Sequence, residues 1–220
     1  MPSQQPLELP EILSHIASHV HWRSRPACAR VSKEWHQAFI PHIWEDVGFS
    51  SRTPEHVAMP RYSHHVKKLI VSVRNLIPDP PHCPNLQSLT LGSYPGSTDL
   101  VLNHPHITHL WLANGQLLPV WWTILPQLGS LKNLDFTSTI VPEQETDTFW
   151  QLCTRLERLM VFNISIPHQG QLSSMVFPSL KKMTMGFPDT LPTILEFMSR
   201  CPNLAELQWQ GTAYRQALMI

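Results

Sequence analysis

The stretch CPNLQSLTL at residues 83–91 returns as CPNLAELQW at residues 201–209, 118 positions further along the chain. Reduced to its apolar positions, the phrase reads L-x-x-L-x-φ, in which φ is a large apolar residue. This pattern occurs seven times. The seven triplets of apolar anchors are Val66/Leu69/Val71, Leu86/Leu89/Leu91, Ile107/Leu110/Leu112, Leu131/Leu134/Phe136, Leu156/Leu159/Val161, Leu180/Met183/Met185 and Leu204/Leu207/Trp209. One structural unit is therefore used repeatedly, and this repetition constrains the whole fold.

The spacing of the triplets favours a leucine-rich-repeat solenoid. Their middle anchors are 20, 21, 24, 25, 24 and 24 residues apart, inside the roughly 20–29-residue period of such repeats. Successive amphipathic helices would also supply leucines, but they would not maintain a two-residue alternation within a fixed longer period. The sequence thus predicts an α/β fold, in which about seven short parallel strands line the concave face of residues 63–220.

The segments between the triplets predict different outer surfaces along the solenoid. The first two contain LIPDPP at 76–81 and SYPG at 93–96, which leave room for only a turn or a loop. Three later segments have the length and composition of helices, at 117–128, 142–153 and 188–200. The residues after Trp209 lack the polar cap of a terminal repeat, so the repeat array is expected either to be truncated or to have an exposed apolar end near Leu218, Met219 and Ile220.

The N-terminal segment predicts three short helices. The first is indicated by apolar residues at spacings of three and four, which are Leu9, Ile12, Leu13, Ile16 and Val20. Ser24 and Pro26 are suited to the start of a second helix, which would carry Cys28 and Val31 on its inner side. A third begins after Ser32, presents Trp35, Ala38 and Phe39 on one face, and is expected to stop at Pro41. Three helices in about 40 residues cannot hide all their apolar surface, so another surface should cover the remainder.

These helices carry a family resemblance. LPEIL at 9–13, RVSKEW at 30–35 and IPHIW at 40–44 together resemble an F-box, and the combination with repeats is similar to fungal F-box proteins with leucine-rich repeats. At residues 24–26 the chain has Ser-Arg-Pro, where the family usually has an acidic residue and paired leucines. The resemblance implies docking on the Skp adaptor of a cullin–RING ubiquitin ligase.

The resemblance assigns adaptor binding, or its immediate support, to seven residues. They are Leu9, Pro10, Ile12, Leu13, Ile16, Val31 and Trp35. The alternative is that Ile12, Ile16, Val31 and Trp35 only pack the three-helix core. The implied organisation is a disordered lead at 1–6, an F-box-like domain at 7–47, a linker at 48–62 and a leucine-rich-repeat solenoid at 63–220.

The residues that alternate with the buried anchors form the predicted target-binding face. Trp111, Met160 and Phe162 are large apolar residues at these open positions, and such residues are costly to leave uncovered. Aromatic and arginine side chains also dominate binding energy at protein interfaces. The predicted substrate-binding residues are His109, Trp111, Asp135, Arg158, Met160, Phe162 and Lys182. The alternative is that a loop or a neighbouring repeat covers the apolar ones.

No catalytic, cofactor or metal site is predicted. The cluster HPHITH at 104–109 is the densest group of histidines, but the repeat pattern directs its three histidines to different sides. Three of the four cysteines, Cys83, Cys153 and Cys201, share one repeat position and are expected to be buried thiols. No nucleotide-binding, hydrolase or metalloprotease motif is present. A hydrolase based on the histidine cluster is therefore a disfavoured alternative.

The chain is expected to be a non-catalytic substrate receptor of an SCF-type (Skp–cullin–F-box) ubiquitin ligase. Its partners would be the Skp adaptor, through it a cullin–RING ligase, and an unidentified protein substrate. Lys plus Arg and Asp plus Glu both number 16, so no net charge recruits nucleic acid or an anionic membrane. The lack of a signal peptide or a long apolar run predicts a cytoplasmic or nuclear location. The alternative function is a leucine-rich-repeat scaffold that binds protein without ligase docking.

Overall fold

A computed structural model describes residues 9–49, 60–71, 82–92, 98–113, 119–137, 141–162, 172–185 and 191–209. The predicted lead, most of the predicted linker, the proline-rich segment 76–81 and the expected exposed end near Leu218 lie outside these ranges.

Three helices begin the described chain. They are α1 (Pro10–His19), α2 (Arg25–Cys28) and α3 (Lys33–Trp44). The hydroxyl of Ser32 accepts a hydrogen bond from the Trp35 backbone N–H, which caps α3 as the sequence predicts. The predicted stop at Pro41 is wrong, because α3 continues through this residue to Trp44. A proline removes only one backbone hydrogen bond from a helix, and packing on both sides can compensate for that loss.

The helices pack around a small core of their own. Ala17, Ala29 and Phe39 are buried at its centre, and the Trp35 ring stacks on Phe39 at 5.3 Å between ring centroids. Arg25 joins the helices, because its Nε donates to the Val20 carbonyl at 3.1 Å and its Nη1 donates to the His42 carbonyl at 2.8 Å. Arg25, one of the positions at which the chain departs from the F-box pattern, thus holds the ends of α1 and α3 together.

One all-parallel sheet of eight strands follows. The strands are β1 (Asp46–Phe49), β2 (Lys68–Val71), β3 (Ser88–Leu91), β4 (His109–Leu112), β5 (Asn133–Thr137), β6 (Arg158–Phe162), β7 (Lys182–Met185) and β8 (Glu206–Trp209). They pair in sequence order without closing into a barrel. The middle anchors lie directly beside one another, from Leu69 beside Leu89 to Met183 beside Leu207. The predicted parallel sheet is confirmed, and its sequential order is consistent with a solenoid.

The eighth strand was not predicted. β1 pairs with β2, and Val47 lies beside Leu69. Trp44, Val47 and Phe49 have the same spacing as the other triplets, 22 residues before the next middle anchor. This copy departs from the other seven triplets because its first anchor position holds Trp44, where the others have Val, Leu or Ile. Trp44 packs against the core of the sheet and stacks on Tyr62, so it connects the helices to the strands.

Short helices cover one face of the sheet. They are α4 (Thr98–Leu102), α5 (Pro119–Ile124), α6 (Thr146–Cys153) and α7 (Leu191–Ser199). Three of them fall in the predicted helical segments, whereas α4 occupies an interval expected to hold only a turn or loop. Their buried side chains share one apolar core with the strand anchors, and Trp122, Phe136 and Phe149 make ring contacts within it. The opposite face of the sheet therefore presents the residues that alternate with the anchors.

Candidate protein-binding face

The open face consists of the strand residues that point away from this core. It has two rows of register partners in β4 to β8. The first row is His109, Asn133, Arg158, Lys182 and Glu206, and the second is Trp111, Asp135, Met160, Thr184 and Gln208. All seven predicted substrate-binding residues lie on four consecutive strands, β4 to β7. Since parallel strands are about 4.8 Å apart, these residues span about 15 Å.

Apolar side chains remain accessible at these positions. Trp111 is 44% exposed, and Met160 and Phe162 are half-buried. The alternative that other parts of the chain cover Trp111 does not hold within the described residues. A large aromatic side chain on an open strand face is a typical anchor of a protein interface.

Most charges on or beside this face are paired across strands. The Lys68 Nζ lies 3.1 Å from Asp46, and the Lys182 Nζ lies 2.7 Å from Glu206. At the adjoining rim, Lys132 and Lys181 lie 2.9 Å and 3.0 Å from the two oxygens of Glu157. Hydrogen bonds from these two lysines lower the pKa of Glu157 to about 2. These pairs leave little free charge on either row.

His109 is neutral and fully hydrogen-bonded. Its Nε2 lies 2.9 Å from the Asn133 side-chain nitrogen, which can only donate, so Nε2 accepts. Its Nδ1 then carries the proton and lies 2.8 Å from the Thr108 hydroxyl. Burial lowers the pKa of His109, and the charges of Arg158 and Lys68 lower it further. His109 therefore supports the face as a neutral group.

Asp135 and Arg158 form a loose pair at the centre of the face. The Arg158 Nη2 lies 3.9 Å from the Asp135 Oδ2, which is too far for a hydrogen bond. The Asp135 Oδ1 and the Arg158 Nε are both buried without a partner in the described part of the chain. Burial raises the pKa of Asp135, while the charge of Arg158 opposes this shift.

Thr184 departs from the predicted pattern. The alternation placed it on the open face, but the residue is only 1% exposed and its hydroxyl has no partner among the described residues. It lies between Met160 and Gln208 in the second row. A short side chain between two longer ones is readily covered, and the local pattern does not show this.

The helical segment also has exposed apolar residues. Leu9, Pro10, Ile12 and Val31 are exposed, and Val31 is 65% exposed. The prediction that Val31 lies on the inner side of its helix is therefore wrong, because α2 ends at Cys28 and Val31 lies beyond it. Leu13 is buried, whereas Ile16 and Trp35 are partly buried against the small core. Of Ile12, Ile16, Val31 and Trp35, only Ile16 and Trp35 thus fit the alternative of core packing.

Trp22 is an exposed residue that the sequence analysis missed. Its indole is 64% exposed, and the guanidinium of Arg23 lies 5.1 Å from the ring centroid. The residue falls between α1 and α2, outside every periodic pattern. The residue type alone was a signal for it, since tryptophan is enriched at protein interfaces.

The three histidines of the HPHITH cluster lie in different environments, as their positions in the repeat predict. His104 is buried and uses both ring nitrogens in hydrogen bonds to the backbone, whereas His106 is exposed. Within the described ranges, no three His, Cys, Asp or Glu side chains are grouped so that they could hold a metal ion.

Comparisons with known proteins give no family assignment. No protein-family model matches the chain, and no curated protein matches its sequence. None of the helices in the described ranges is long and apolar enough to span a membrane.

Proposed function

We propose that this chain is the substrate-recognition subunit of an SCF-type ubiquitin ligase. The three N-terminal helices would dock on the Skp adaptor as an F-box does, and the sheet would bind the protein target as a leucine-rich-repeat surface does. The observation that carries the proposal is the combination of two exposed surfaces on one chain. One comprises the exposed apolar residues Leu9, Ile12 and Val31 of the helical segment, and the other is the open face around Trp111.

The proposed mechanism is proximity. A receptor that holds its target near the transferring enzyme raises the effective concentration of the reacting groups, without making or breaking a bond itself. The sheet suits this role because its strands share a continuous apolar core and Trp44 joins that core to the helices. A rigid connection between the two surfaces would fix the distance from target to ligase.

Capture of the purified Skp adaptor by the full chain tests the proposal. Ile12→Glu combined with Val31→Glu should reduce capture at least tenfold, because both side chains are exposed and a charge there would oppose an apolar contact. These positions are preferable to Ile16 and Trp35, whose replacement would disturb the small core. Val176→Glu, at another exposed apolar position, is the matched control and should capture adaptor normally. Failure of the unmutated chain to capture adaptor would refute the ligase role.

A second candidate is a leucine-rich-repeat scaffold that binds protein without ligase docking. The observation that favours it is the four-residue length of α2, together with the use of the Arg25 guanidinium in internal hydrogen bonds. Both features fall where the chain departs from the F-box pattern. Target binding with no adaptor capture would favour this candidate.

A further inference from the structure

Arg158 lies at the centre of the open face with donors that no described residue uses. A guanidinium has five N–H donors, and none of those of Arg158 makes a hydrogen bond to a described residue. The side chain is 35% exposed, so solvent or a partner can reach part of it. Asp135 lies close enough to orient the guanidinium but too far away to accept a hydrogen bond.

The neighbouring cations are not equivalent to Arg158. Lys182 is its register partner on β7, but the Lys182 Nζ donates to Glu206 at 2.7 Å. Lys68 donates in the same way to Asp46 at 3.1 Å. Among the described cations of the two rows and of β2, Arg158 is therefore the one whose N–H donors make no hydrogen bond to a described residue and are available to a partner.

The position of Arg158 suits recognition of an anion beside apolar residues. Its charge acts on His109 of β4 and on Glu206 of β8, two strands away on either side. Met160 and Phe162 follow on the same face of β6, at intervals of about 6.6 Å along the strand. A target segment that pairs with Arg158 would therefore also contact apolar side chains.

We infer that Arg158 binds the carboxylate of an Asp or Glu side chain in a target segment whose neighbouring residues are apolar. This inference rests on the proposed role of the open face as the target-binding surface. A planar carboxylate matches the fork of a guanidinium and forms two parallel hydrogen bonds with it. A phosphate fits less well, because the described site has one positive charge, which Asp135 partly balances, and Asp135 would repel a dianion.

Selection from a random dodecapeptide library on the full-length chain tests this inference. The wild type should enrich peptides that carry Asp or Glu beside apolar residues. Lys181→Met, the matched control, should enrich the same peptides, because the ammonium it removes lies at the rim and is already paired with Glu157. Arg158→Glu should lose this preference. A wild-type selection without preference for an acidic residue would overturn the inference.

The best peptide should then be synthesised with Glu, Gln or phosphoserine at the acidic position. Gln should raise the Kd about tenfold or more, since hydrogen bonds between charged groups are about twice as strong as neutral ones. Equal Kd values for Glu and Gln, or much tighter binding of phosphoserine, would overturn a carboxylate site. Asp135→Asn should tighten binding of the Glu peptide, because it removes a repelling charge. Unchanged binding of the Glu peptide to this variant would place its carboxylate away from Arg158 and Asp135, and would overturn the inference.

The result can be separated from that of the ligase proposal. Adaptor capture depends on the helices, whereas peptide selection depends on the open face. A chain that captures adaptor but selects no acidic peptide keeps the ligase role and loses the carboxylate site. A chain that selects acidic peptides without capturing adaptor loses the ligase role alone.

Discussion

The backbone N–H of Cys83 donates a 2.9 Å hydrogen bond to Nε2 of His104, which occupies the same position in the following repeat. The other ring nitrogen, Nδ1, lies 2.6 Å from the Leu100 carbonyl, to which it must donate. The imidazole is therefore neutral, buried and bonded on both sides. This side chain from the HPHITH cluster thus connects two turns of the chain.

This arrangement predicts a pH-dependent contribution to stability. Burial lowers the pKa of His104, the Leu100 hydrogen bond opposes the shift, and His82 adds to it. The unfolded chain then binds a proton near pH 6.5 that the folded chain does not, so acid favours unfolding. The contribution is fully present above about pH 6.5 and is lost as the pH falls towards the folded pKa.

Urea unfolding of the wild type and of His104→Leu between pH 5 and pH 8 measures this contribution. The difference in free energy of unfolding should be about 1–3 kcal/mol near pH 7.5 and should shrink on acidification. A difference that stays constant or grows as the pH falls would contradict the assignment of a neutral ring.

The core anchors should differ in energy according to their place in the sheet. Leu134 is fully buried in β5, so Leu134→Ala should reduce the free energy of unfolding by about 2–5 kcal/mol. Leu207 has the same position in β8 but is 40% exposed, so Leu207→Ala should cost about 1 kcal/mol or less. Chemical denaturation of both variants measures which one loses more free energy of unfolding. Equal losses would be inconsistent with the burial of Leu134 and the exposure of Leu207.

Removal of the Arg25 guanidinium should loosen the helices and leave the sheet intact. Arg25→Met frees the Val20 and His42 carbonyls and should cost about 1–3 kcal/mol locally. Hydrogen exchange should accelerate in α1 and α3 but not in β4 to β6. Arg30→Met is the control, because its exposed side chain bonds, among the described residues, only to the Pro26 carbonyl on a neighbouring turn. Uniform acceleration across the sheet would show that Arg25 has a wider role.

The thiols should fall into two reactivity classes. Burial raises the pKa of Cys83 and Cys201 to about 11 and that of Cys153 well above its ordinary value. Thiolates are the reactive form, so these three should resist alkylation at pH 8 until the chain unfolds. The half-buried Cys28 should react first, and Cys28→Ser should remove that early phase. Mass spectrometry counts the alkylated cysteines at each time, and rapid labelling of Cys153 would contradict its burial.

The unpartnered hydroxyl of Thr184 should be dispensable. Thr184→Val keeps the shape and removes a buried polar group, so the free energy of unfolding should rise by about 1 kcal/mol. Thr90→Val, at the equivalent but half-buried position of β3, should change it by less than about 0.5 kcal/mol. A destabilised Thr184→Val variant would indicate that the hydroxyl has a bonding partner.

The strand positions were predictable because each repeat presents the same alternation, and seven of the eight strands follow from it. β1 was not predicted, because a bulky Trp44 occupies its first anchor position. The course of α3 past Pro41, the exposure of Val31 and the burial of Thr184 were not predictable. Each depends on packing against residues distant in sequence, which local periodicity does not encode.

The sequence by itself determined that short strands recur every 20–25 residues and that their leucines share one face, because an apolar period dictates which side chains leave water. It also brought Arg158 and Lys182 to equivalent positions in successive repeats. Only the tertiary structure distinguished them, by setting an anion 2.7 Å from Lys182 and 3.9 Å from Arg158. Hydrogen bonding changes steeply over such distances, and packing between neighbouring strands fixes them.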